Sequence, residues 1–173
     1  MANTWTLLIQ SKAFAATTVM LGVLNAGARV IRIRRVGMIN YQTAAVVGVL
    51  CLLDLRRYYT VATWAAPTAV SAIKHDTTNG ALDTVTTGHA GTPGGGAGPN
   101  IFRRWVWSSD EPVITSGTWD EWECIVPFSI VFNCGYGESE CQGIVLRATE
   151  TIFVYNTSGA VGLADIYAEF TDT

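Results

Sequence analysis

The sequence predicts an all-β fold, a single antiparallel sandwich or barrel of 173 residues, and three observations predict it. Runs rich in Val, Ile, Thr, Tyr, Phe and Trp recur along the whole chain, and such residues suit a pleated, half-buried surface. Turn-forming clusters, "NAG", "TTNG", "NCGYG" and "NTSG", punctuate them. Helical periodicity is almost absent, which argues against alternating βαβ units. A chain of this length buries a real core, so one domain is expected over 1–173.

Strands are predicted in order at "TWTLLIQ" (4–10), "TVMLGVLN" (18–25), "RVIRIRRVGM" (29–38) and "VVGVLCLLDLRRYYTV" (46–61). They continue at "AVSAIKH" (69–75), "IFRRWVWS" (101–108), "WECIVPFSIVF" (122–132), "GIVLRA" (143–148), "TIFVYNT" (151–157) and "VGLADIYAEFT" (161–171). The one segment with a helical claim is "SKAFAATTVMLGVLNAG". Its β-branched Thr17, Thr18 and Val19 favour a loop followed by a strand. Between the strands, "GHAGTPGGGAGPN" (88–100) is expected to be an irregular loop or arm, ordered only against a neighbour. Ordering so flexible a stretch costs about 1–2 kcal/mol per residue, and its prolines interrupt ladders.

Composition narrows the function classes. Hydrophobic residues make up 49% of the chain and charged residues 14%, against a usual quarter for charged residues. Such a chain buries surface against itself or against neighbours. A net charge of −3 and a pI near 5.3 argue against nucleic acid as a partner. Lys12 and Lys74 are the only lysines, so the positive charge is almost all arginine, suited to planar, partly buried ion pairs. The start, "MANTWTLLIQ", lacks the basic and apolar regions of a signal peptide, and synthesis in the cytoplasm is expected. The apolar run "AAVVGVLCLL" (44–53) reaches half the length of a membrane helix, so no membrane is expected either.

Cys51 is expected to be a buried thiol. Cys124, Cys134 and Cys141 lack paired C-x-x-C spacing and nearby histidines, which argues against zinc. A Cys134–Cys141 disulfide is one reading, and reduced loop cysteines are the expectation for a cytoplasmic product. His75 and His89 stand in polar loops with no nucleophile elbow, and neither a phosphate-binding loop nor a metalloprotease motif is present. No catalytic residue, cofactor or metal is assigned, and the chain is not expected to be an enzyme.

Two constellations remain. In "SSDEPVITSGTWDEWECIVP", carboxylates crowd around Trp119 and Trp122. Exposed tryptophans are platforms for sugar rings, so a carbohydrate-binding β-sandwich module, for host-surface or glycan adhesion, is the alternative function. In "RVIRIRRVGM", strict alternation puts Arg29, Ile31, Ile33 and Arg35 on one face and Val30, Arg32, Arg34 and Val36 on the other. Neither face is purely basic, unlike a nucleic-acid ribbon. Arg32, Arg34 and Arg35 are therefore structural ion-pair candidates, with Asp54, Glu123, Asp165 and Glu169 as carboxylates on other strands. The pairs Arg56–Arg57 and Arg103–Arg104 likewise stand beside apolar residues.

The C-terminal "GIVLRATETIFVYNTSGAVGLADIYAEFT" is similar to the closing strands of jelly-roll structural proteins of tailed bacteriophages. In those a "P-I-V-L-R-x-G-E-x-L" strand-loop-strand precedes a final "D-x-x-x-E-F-T" strand. Ile144, Val145, Leu146, Arg147, Glu150, Asp165, Glu169, Phe170 and Thr171 match, and Thr149 stands where that family has glycine. "RVIRIRRVGMIN" and "FRRWVWSSDEP" also look like counterparts. The resemblance implies an antiparallel β-sandwich of jelly-roll type and a virion component. The role it implies is a capsid cement or decoration subunit that packs on the major capsid protein and on copies of itself. A homo-oligomer, with a trimer favoured, follows from the resemblance too; no active-site residues do.

Overall fold

The computed structural model describes residues 3–40, 50–59, 63–94, 99–108, 128–134, 143–158 and 162–173. These form fourteen strands and no helix. In chain order they are β1 (Asn3–Ala13), β2 (Thr18–Asn25), β3 (Ile31–Asn40), β4 (Leu50–Tyr58), β5 (Thr63–Ala65), β6 (Thr68–Ala69) and β7 (Ile73–Lys74). Then come β8 (Val85–His89), β9 (Thr92–Gly94), β10 (Asn100–Ser108), β11 (Phe128–Asn133), β12 (Ile144–Leu146), β13 (Thr151–Asn156) and β14 (Leu163–Asp172). One sheet has the order β11–β3–β14–β1–β7, with β12 also paired to β3; the other runs β10–β4–β13–β2–β8–β6. A small third sheet pairs β5 with β9.

The fold is an antiparallel β-sandwich, and the sequence pattern explains it. On β1, Trp5, Leu7 and Ile9 are buried; on β14, Ala164, Ile166, Ala168 and Phe170 are buried while Asp165, Tyr167 and Glu169 alternate with them. The inward rows of both sheets merge into one core, in which Ile33, Met38 and Phe170 of the first sheet join Leu53, Leu55 and Val154 of the second. The pairing is nested: β1 lies on β14, β2 on β13, β3 on β11 and β12, and β4 on β10.

Strict alternation fails in β3. Register shifts between Glu169 and Phe170, where Arg34 is the extra residue on β3. Such a bulge turns every later side chain to the opposite face. Val36 and Met38 therefore follow Ile31 and Ile33 into the core, and Arg35 lies on the outer face instead of sharing one with Ile31 and Ile33.

The glycine-rich stretch is also more regular than its composition predicts. β8 continues to His89, and Thr92–Gly94 pairs with Thr63–Ala65. Residues 95–98 lie outside the described residues. The ordering comes from tertiary contact: Trp64 of β5 packs on the outer face of the second sheet with Val19, Leu24 and Phe153, and its Nε1 donates to the Ala90 carbonyl at 2.8 Å. Gly22 makes room for it, since a Cβ there would collide with the rings of Phe153 and Trp64. The β5–β9 pair, anchored by Trp64, is thus a flap on the β2–β13 side of that face.

Candidate functional site

Along β4 and β10 the same face carries exposed apolar side chains, and its chemistry starts with β4. Cys51, Leu53 and Leu55 enter the core, so Leu50, Leu52, Asp54 and Arg56 point outward. β10 sets Val106 opposite Leu52, Arg104 opposite Asp54 and Ile101 opposite Arg56; β13 sets Tyr155 opposite Asp54. Although it stands on the solvent side, the Asp54 side chain is 0% exposed. Arg104 Nε donates to its Oδ1 at 2.7 Å, and Arg56 Nη2 donates to Oδ2 at 2.8 Å. The Arg56 guanidinium lies 3.9 Å from the Tyr155 ring centroid, a cation–π contact. Burial pushes the Asp54 carboxyl up, but the hydrogen bonds and charges of Arg104 and Arg56 outweigh it and hold the pKa below its ordinary 3.8.

The remaining predicted ion-pair residues are spread out. Arg35 and Glu169 face each other across β3 and β14 with N···O of 3.9 Å, and Arg35 Nε donates to Asn133 Oδ1 at 3.3 Å. Arg34 at the bulge donates to Cys134 Sγ at 3.9 Å. Arg32 stands opposite Thr171 and Val145 and makes no ion pair among the described residues. Asp165 accepts from the backbone N–H of Ser11 at 2.7 Å. Glu123, Trp119 and Trp122 lie outside the described residues.

Sequence reasoning missed two pairs. Arg57 donates to Glu150 at 2.7 Å, and Arg29 donates to Asp172 at 3.0 Å, where the carboxylate is fully buried. It also did not join Arg56 and Arg104 to Asp54, because that constellation exists only once β10 is in register with β4. Cys134 corrects another expectation: it is disulfide-bonded, its partner lying outside the described residues, and not reduced. It is buried at the end of β11, with its N–H on the Arg34 carbonyl at 2.7 Å. Local backbone geometry decides such pairing, and neither spacing nor compartment reveals it. Cys51 is a buried free thiol, and burial pushes its pKa up.

The arrangement ties β4 to β10. A buried carboxylate is shared by two arginines, and Leu50, Val106 and Ile101 stand exposed around it. The histidines do not join it. His75 Nε2 lies 2.6 Å from Thr6 Oγ1 in an exposed contact; burial and the nearby Lys12 charge lower the His89 pKa. No family model, curated protein or solved structure matches the chain.

Proposed function

We propose that this chain is a virion structural protein, a decoration or cement subunit that stabilises a phage head by multivalent packing on the major capsid protein and on its own copies. The observation that carries the reading is the turn between β12 and β13. Thr149 has φ of +68°, the left-handed conformation that favours glycine, and the resembling phage proteins carry glycine at this position. Glu150 next to it explains the rest of the motif. Its carboxylate accepts the Arg147 N–H at 2.6 Å and pairs with Arg57, while the turn backbone bonds Asn25 at 2.8 and 3.0 Å. Arg147, Thr149 and Glu150 thus have a structural role in this turn, which supports the reading.

The nested strand pairing supports the finer fold assignment. Pairing first with last and inward from there is what a jelly roll, two interleaved Greek keys, requires, and it is the support for that reading. The low charge and apolar excess support assembly, because obligate interfaces resemble a core cut in half. On this reading the protein is made in the host cytoplasm, resides in the virion, favours a trimer, and has no catalytic centre, cofactor, nucleic-acid partner or membrane partner. Quantitative mass spectrometry of particles purified after co-expression with the neighbouring structural genes tests it. The protein is expected at high stoichiometry with the major capsid protein. Its absence from particles, together with glycan-array binding lost in Trp119→Ala, would replace this reading with the carbohydrate-binding one.

A further inference from the structure

We infer that the part of the second sheet's outer face along β4 and β10 is the surface on which a second copy of this chain docks through an acidic segment. The inference rests on the self-association reading and gives it a location. Leu50 is 65% exposed, Val106 60%, Phe102 48% and Ile101 45%. They line two adjacent strands, whereas Trp64 and its flap already cover the β2 and β13 side of the same face. An exposed apolar strip on a long strand invites association with another chain.

Charge identifies the occupant. Asp54 is shared between Arg56 and Arg104, and the Arg104 side chain is still 53% exposed. The strip therefore carries more positive than negative charge in a chain whose net charge is −3. The compensating charge is concentrated in sequence. Asp110, Glu111, Asp120, Glu121, Glu123, Glu138 and Glu140 are seven of the fourteen carboxylates, and no Lys or Arg occurs between Arg104 and Arg147. Each copy thus offers a basic apolar face and, in the sequence from Asp110 to Glu123, an acidic stretch whose charge complements it. Two different patches that complement each other make a head-to-tail contact, which closes into a ring when the rotation permits; the favoured trimer is such a ring.

Sedimentation velocity of the full chain tests this over a concentration series at low and high salt. The wild type should associate, more weakly at high salt because the ion pairs are screened. Val106→Glu, Leu50→Asp and Arg104→Glu should each weaken association by about tenfold or more, the loss of one central interface residue. Leu8→Asp, on the outer face of the other sheet, should leave it unchanged. Melting curves show that each variant compared is folded, and having two independent apolar variants guards against one that is not. Association that survives both folded apolar variants overturns the surface while leaving self-association intact. Association that is indifferent to salt and to Arg104→Glu overturns the acidic occupant. A wild type monomeric at every concentration, the outcome if the acidic stretch covers β10 of its own chain, overturns both the surface and the self-association reading.

Discussion

Asp54 stands on the solvent side of β4, yet two arginines close over it completely. Its folded pKa lies below its unfolded one. The cluster therefore contributes its full stability above about pH 4 and loses it as pH falls through the folded value. Asp54→Asn should lower stability by about 1–3 kcal/mol at neutral pH, less than for a fully buried pair because Arg104 is half-exposed. The same variant should flatten the acid limb of the stability profile, and urea titrations between neutral and acid pH check both effects. Thr149→Gly should act in the opposite direction. A left-handed backbone costs an L-residue about 1–2 kcal/mol, and glycine loses about 0.5–1 kcal/mol of that advantage to entropy. The net gain should raise Tm by about 2–4 °C in a thermal melt. At this scale the sequence was half legible. Asp54 and the arginines could be read as ion-pair residues from their apolar strand neighbours. Their partners could not, since Arg104 lies 50 positions from Asp54 and the link is a matter of register.

Strands were the most legible elements, because period-2 alternation and turn residues mark them directly. "TVMLGVLN" has the same bounds as β2, and "IFRRWVWS" comes within one residue of β10. Misreadings arose where an interaction distant in sequence governs a local choice. The β3 bulge depends on its fit to β14 and reverses the faces beyond Arg34. The strand character of Thr92–Gly94 depends on Thr63–Ala65, and composition alone pointed to an irregular arm. Trp64 holds that flap in place. Truncating a buried tryptophan costs about 3–5 kcal/mol where the surroundings cannot collapse. Trp64→Ala should therefore release the flap first, and hydrogen exchange at Ala90, whose N–H bonds the Val19 carbonyl, should speed up well before exchange in β13. Simultaneous acceleration in both would mean that the flap is part of the cooperative core.

At the scale of the whole molecule, nested pairing and the core between the two sheets account for the sandwich that the described residues form. Its sheet faces carry arginines that are engaged by Asp54, Glu150, Glu169 and Asp172. An acidic chain with arginines so committed should have no useful affinity for DNA or RNA. Fluorescence titration at two salt concentrations checks this. Tight binding with a steep salt slope, lost in Arg32→Ala without a change in melting, would restore the basic-ribbon reading. The nesting itself was not legible in single strands; it appears only when each strand's partner is known. The central claim concerns what the sandwich is for, and image reconstruction of purified particles tests it most directly. The account predicts symmetric density on the outer shell that fits this β-sandwich, with β4 and β10 turned towards a neighbouring copy. A shell reconstructed from particles that contain the protein, yet with no such density on it, would contradict the account.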